Sequence, residues 1–258
     1  LLKSFVDDIE SKSKRSLTVN FSEQDETSDS FVFLENGNLV LTSLNKPITR
    51  PAGHGALLAN LQTISSDLIF VKNIDNIQHL SRSEKSNEIW QQLGGLALHI
   101  KSEIEKLILN PTKDSLKLFN NRFYLYSESE INSMSSEDSM LKLLNRPLRV
   151  CGMVRNEGEP GGGPFWVQDN KGRQTLQIVE SSQIDFSNKS QVKIANSATH
   201  FNPVDIVCGV YDYKGNKFDL NQFIDPDAAF ITEKTKNGKP IKAFELPGLW
   251  NGAMAKWA

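Results

Sequence analysis

Apolar and polar positions alternate along this chain in two rhythms, one helical and one strand-like. From Ser83 to Asn110, the residues Ile89, Leu93, Leu96, Ile100, Ile104 and Leu107 recur at spacings of three or four, which lines up one apolar stripe on a helix. Asn110-Pro111 ends it, because proline disfavours a helical residue immediately before it. Gly94-Gly95 weakens the middle by about 1 kcal/mol per glycine relative to alanine, so a bend or a close helix contact is expected there. Helical spacing continues over Thr112–Phe119 and Glu128–Asn145, across connections rich in serine and acid (Ser127-Glu-Ser-Glu and Ser135-Ser-Glu-Asp-Ser139). Leu1–Lys14 fits the tail of a further helix.

The strand rhythm dominates elsewhere. Leu17–Phe21 alternates, and Phe31–Leu34 forms a short apolar run before an Asn36-Gly37 turn. Leu68–Val71, Leu148–Val154 and Val204–Tyr213 are continuous apolar runs, the signature of strands covered on both faces, as in a parallel sheet. Phe165–Gln168 and Thr175–Val179 flank Asp169–Gly172 as a hairpin, and Phe230–Thr232 and Ile241–Glu245 flank Asn237-Gly238 as another. The pattern predicts an α/β fold with a mixed, mostly parallel sheet. Residues 1–80 read as the first half of one domain, 81–145 as a helical insertion, and 146–258 as a strand-rich second half.

Composition narrows the function classes. A chain of 258 residues can bury a sizeable core. Net charge is −2, with lysine and arginine spread out, which argues against a nucleic-acid face or an anionic membrane surface. No apolar run approaches the ~20 residues a membrane helix needs, and no signal peptide is visible. Cys151 and Cys208 each precede a glycine at the end of an apolar run, a placement that suits buried free thiols in a reducing cytoplasm.

The chemistry concentrates between Arg50 and Asn76. Pro51-Ala-Gly53-His54-Gly55 opens a loop, and Ala56, Leu57, Asn60, Leu61 and Ile64 follow at helical spacing. The Leu68–Val71 strand then leads to Asn73-Ile-Asp75-Asn76. In open α/β sheets, ligands sit beyond the carboxyl ends of such strands, which is where Asp75 would stand. These paired motifs resemble those of the UDP-sugar pyrophosphorylases, nucleotidyltransferases with a glycosyltransferase-A-like fold. A closer resemblance is to an allied bacterial family known by a domain-of-unknown-function label. It extends over nearly the whole chain, including Gly158-Glu-Pro-Gly-Gly-Gly-Pro-Phe-Trp166 and Leu246-Pro-Gly-Leu-Trp-Asn-Gly-Ala-Met254.

The resemblance implies roles for five residues. Asp75 matches a magnesium-binding aspartate; on its own it reads as a strand-end residue capping the next turn. Gly53 and His54 match a loop that touches the sugar and the phosphate, although an isolated Gly-His-Gly is more commonly a turn with a locally satisfied histidine. Glu180, in Gln177-Ile-Val-Glu180-Ser-Ser-Gln183, matches a glutamate that accepts hydrogen bonds from sugar hydroxyls; otherwise it is an edge-strand acid facing solvent. Asn202, with His200 nearby, matches an asparagine that also contacts the sugar. Glu157 and Glu159 flank a glycine-rich loop that lacks the Gly-Lys-Ser/Thr ending of a phosphate cradle, so a wide connecting loop is the better reading. Leu246–Ala253 reads as core packing around a sharp turn, with Asn251 as a conceivable ligand.

The function implied is transfer of a nucleotidyl group from a nucleoside triphosphate to a sugar phosphate, with magnesium as cofactor and a nucleotide sugar and pyrophosphate as products. A glycine-rich nucleotide loop and a lysine segment of the resembled enzymes are missing, so the chain is expected to be an inactive internal piece of a protein roughly half again to twice as long. The alternatives are a non-catalytic module that binds a nucleotide sugar or carbohydrate, and a metal-dependent glycosyltransferase. The single carboxylate of Asn73-Ile-Asp75 argues against the latter, which ordinarily carries an Asp-x-Asp pair.

Overall fold

The computed structural model describes residues 2–158, 161–170, 172–236 and 239–258. Glu159, within the glycine-rich loop, and the Asn237-Gly238 turn lie outside the described residues. The first half comprises helix α1 (Leu2–Ser13), strands β1 (Ser30–Phe33) and β2 (Thr49–Arg50), a 3-10 turn over His54–Leu57, helix α2 (Leu58–Thr63) and strand β3 (Ile69–Lys72). Helices α3 (Glu84–Leu109), α4 (Lys113–Phe123), α5 (Glu128–Ser133) and α6 (Glu137–Leu144) follow. The second half contains β4 (Leu148–Cys151), β5 (Val154–Arg155), β6 (Gly163–Gln168), β7 (Gln174–Val179), α7 (Lys189–Asn196), β8 (His200–Phe201), β9 (Asp205–Gly209), β10 (Phe230–Lys236) and β11 (Lys239–Glu245).

Each long apolar run becomes a strand of one central sheet, in the order β3-β9-β4. Ile69 pairs with Cys208 and Val71 with Ile206 on one side, Leu148 with Gly209 and Val150 with Val207 on the other. Alternate residues feed two cores. Val207, Val150 and Leu148 pack beneath Ala97, Ile100, Ile104 and Ile108 of α3, with Leu116, Phe119, Leu143 and Leu144 from the helices after it. Ile206, Cys208 and Ile69 face Leu58, Leu61, Leu220, Leu249, Met254 and Trp257. Both thiols are free, Cys208 fully buried and Cys151 half-buried.

Strand direction departs from expectation. A mostly parallel sheet was predicted, yet every strand pairing among the described residues is antiparallel. The continuous apolar runs report burial on both faces, which the two cores supply, and burial carries no information on direction. Leu17–Phe21 forms no strand either. Alternation marks a strand where one face is buried, and here that face stays open: Leu17, Val19 and Phe21 are 41%, 47% and 82% exposed.

Local chemistry accounts for the helix boundaries. Helix α3 stops at Asn110 as proline requires, and its close contact falls at Gly94, where an added Cβ would sit 2.9 Å from the Phe70 ring. The expected Glu128–Asn145 helix is two helices, because the serines cap rather than continue: the Ser127 side chain accepts the Glu130 N–H, and the Ser136 side chain accepts that of Ser139.

Ile206 has no exposed surface and faces the second core. Ile206→Ala is expected to cost about 2–5 kcal/mol in denaturant unfolding, whereas Phe21→Ser should stay within about 0.5 kcal/mol of the parent.

Candidate functional site

Three segments meet beside the central sheet: the glycine loop before α2, the end of β7, and the turn after β11. The loop is pinned from behind. Gly53 N–H donates to the Glu245 carboxylate, whose other oxygen accepts the Thr232 hydroxyl at 3.0 Å. A Cβ on Gly53 would lie 2.7 Å from Glu245 Oε2, and one on Gly55 only 2.1 Å from the Pro247 carbonyl oxygen. Gly55 is therefore required by a close approach of two backbones.

His54 projects between the other two segments. Its Nδ1 accepts the Leu249 N–H at 2.9 Å, which assigns the proton of the neutral ring to Nε2. That nitrogen lies 3.4 Å from Glu180 Oε1. The Trp250 indole N–H donates to the same oxygen at 3.0 Å, and the His54 and Trp250 rings stack at 3.8 Å with 13° between their planes. The hydrogen bond from His54 holds the Glu180 carboxyl below its usual range; burial opposes this, and the attraction of His54 and the Trp250 N–H reinforce it. The side chains of His54 and Glu180 each remain 27% exposed.

The 247–251 turn is itself anchored. Arg149 donates to the Trp250 carbonyl at 2.6 Å and to Gln177 Oε1 at 2.8 Å, tying the turn to β4 and β7. Asn251, 4% exposed, donates to Gln183 Oε1 at 3.0 Å, and the same oxygen accepts Glu180 N–H at 3.1 Å. A Cβ at Gly248 would fall 1.9 Å from Asn251 Oδ1 and 2.6 Å from His54 Cε1, so glycine lets both side chains close over the turn.

The remaining predicted positions lie apart from this contact. Asn202 is buried, donating to the Gly152 carbonyl at 2.7 Å and accepting Val204 N–H at 2.9 Å; it fastens the end of β4 to the entry of β9. Its N–H bonds Gly162 O at 2.9 Å, and a Cβ on Gly162 would stand 3.4 Å from Glu180 Cγ, so the Asn202 backbone borders the site. Asp75 is exposed in a turn capped by Asn73, whose Oδ1 accepts Asp75 N–H at 3.3 Å, and Asn76 docks this turn on the Pro203 carbonyl at 2.8 Å. The structure thus joins His54 to Glu180, and separately sets the Asp75 turn against the segment carrying Asn202. Among the described residues no group of three His, Cys, Asp or Glu side chains could hold a metal ion. Asp75 offers a single carboxylate, which suits magnesium only with water and phosphate completing its shell.

Trp250, Gln183 and Glu245 were not singled out from the sequence as site residues. The signal was the Leu246–Gly252 run, where two glycines and a proline around a tryptophan mark a tight turn presenting a large ring.

Fold and contacts define a mixed α/β protein whose glycine loop closes onto a carboxylate and an indole. Residues 1–258 match the family described as Domain of unknown function (DUF4301), and the chain belongs to that family. No curated protein matches it. Two solved structures are similar, both of variants of UDP-glucose pyrophosphorylase from Leishmania major in complex with UDP-glucose. One shows 16% identity and a TM-score of 0.38 over 85% of this chain and 41% of the other. The second shows 15% identity and a TM-score of 0.41 over 99% of this chain and 46% of the other. This chain therefore spans less than half the length of either.

Gly55→Ala should lose more than about 2 kcal/mol of unfolding free energy, since the clashing atom is backbone oxygen. A depressed Glu180 carboxyl contributes stability that is present above its unfolded value of 4.5 and lost as pH falls through the lower folded value. The stability gap between the parent and Glu180→Gln should accordingly be constant near neutrality and close on acidification below that value, as followed by urea unfolding at a series of pH values.

Proposed function

We propose that this chain carries the sugar-binding wall of a sugar-1-phosphate nucleotidyltransferase-like protein. The observation behind this reading is the contact between His54 and Glu180, since both belong to motifs that resemble those of the UDP-sugar pyrophosphorylases. An ionised carboxylate beside an indole and an imidazole is suited to accept sugar hydroxyls. In the reaction, a sugar phosphate oxygen forms a bond to the α-phosphorus of a nucleoside triphosphate as the bond to pyrophosphate breaks. Such a displacement draws mainly on positioning and charge neutralisation. Glu180 would take hydroxyls, His54 would orient Glu180, and the backbone at Asn202 would border the sugar. Gly53 has its N–H committed to Glu245, so its part is to keep the loop close and bare. Magnesium, held by Asp75 together with phosphate oxygens, would draw charge from the phosphates.

A second reading, a module that binds a nucleotide sugar without turning it over, is favoured by the metal position. Asp75 is an exposed lone carboxylate, and among the described residues no group of three His, Cys, Asp or Glu side chains stands ready for a cation.

Given magnesium and a panel of nucleoside triphosphates and sugar 1-phosphates, the protein at its full natural length should release pyrophosphate from one combination, and Asp75→Ala should abolish the release. A UDP-glucose-induced rise in melting temperature without pyrophosphate release would select the second reading. Failure of a broad panel of triphosphates and sugar phosphates to give either turnover or a nucleotide-induced shift contradicts both.

A further inference from the structure

Glu180 is held by two donors that reach it from opposite ends of the chain and meet on one oxygen. Neither donor is free to move independently. The His54 ring is fixed through Leu249 N–H, the Trp250 backbone through Arg149, and the two rings through their stack. Asn251 and Gln183 close the same turn onto the Glu180 backbone. Among the described residues no lysine or arginine pairs with Glu180, which faces the His54 Nε2 at 3.4 Å instead. A carboxylate in this setting keeps its charge and its direction while more than a quarter of its surface remains open.

We propose that Trp250 is a second positioning residue of this site beside His54, its indole N–H aiming the Glu180 carboxylate so that the wall accepts a hydroxyl-bearing ring and rejects one carrying a carboxylate at the same edge. The inference rests on the proposed sugar-binding role of Glu180 and adds to it a residue and a selectivity. The physical basis is twofold. An aimed carboxylate gains charge-assisted hydrogen bonds from hydroxyl donors, and it repels a second anion placed where those hydroxyls would lie. A tryptophan whose role was packing alone would tolerate phenylalanine, which keeps the aromatic face toward His54 and removes only the N–H.

The test uses UDP, UDP-glucose and UDP-glucuronate as probes, with affinities measured by calorimetry on the parent, Trp250→Phe and Glu180→Gln. The parent should bind UDP-glucose at least about tenfold more tightly than UDP-glucuronate, the scale of one charge-assisted hydrogen bond. Trp250→Phe should shrink that ratio to below about threefold with UDP affinity unchanged, and Glu180→Gln should shrink it further by admitting the uronate. An unchanged ratio in Trp250→Phe overturns the positioning role. Equal affinities of the parent for the two nucleotide sugars overturn the inference without needing any variant to fold, and leave nucleotide binding in place. Absence of binding by all three probes removes the sugar-binding reading and the inference with it.

Discussion

The convergence of two N–H groups on Glu180 Oε1 is the contact through which the distant parts of this molecule communicate. The imidazole comes from the glycine loop that precedes α2, the indole from the turn that follows β11, and the carboxylate from the end of β7. Leu249 and Met254 bury the turn in the second core, and Ala56 and Ile178 are buried in the other two segments, but apolar burial has no direction and cannot aim three polar side chains at one another. Directional bonds do it instead, and they are worth most where water is partly excluded. The glycines at 53, 55 and 248 belong to the same constraint, since a side chain at any of them would separate surfaces that the bonds require to touch.

The central sheet supplies the platform. Covered on one face by α3 and its followers and on the other by α2 and the C-terminal turns, its strands have little freedom to tilt. Arg149 projects from β4 to carry that rigidity into the 247–251 turn, and Asn202 locks the junction of β4 and β9 on the neighbouring side. A buried asparagine that spends its amide on two backbone groups is a structural clamp, whatever passes along its backbone face. The Asp75 turn hangs from the same junction through Asn76, exposed and capped by Asn73, a different environment from that of Glu180.

Much of this was readable in the sequence where a single local rule governs. Helix α3 follows its proline, but of its stripe only Ile100 and Ile104 are buried. The face against the sheet runs through Gly94, Ala97, Ile100, Ile104 and Ile108 and leaves Ile89 and Leu96 exposed, whereas the hairpin of β6 and β7 follows its turn residues. A single local rule does not govern where pairing or burial decides. Leu17–Phe21 has strand periodicity but no buried face to go with it, and a parallel sheet does not follow from apolar runs that report cover rather than direction. The serines at 127 and 136 looked like connecting composition and act as caps. At the site, His54 and Glu180 each stand out in their own stretch, but nothing local in either reveals that they touch. Trp250 went unrecognised for the opposite reason: a tryptophan in a Pro-Gly turn reads as core, and only its N–H direction shows otherwise.

The site depends on the hydrogen-bonded state of one ring. Long-range proton–nitrogen NMR on the protein, at about pH 8.5 where an ordinary imidazole is neutral, reads it directly. The structure predicts that His54 appears as a single tautomer with the proton on Nε2 and an unprotonated Nδ1, and that the Leu249 amide proton is shifted by its acceptor. A His54 ring protonated on Nδ1, or averaging between tautomers like an exposed histidine, would contradict it.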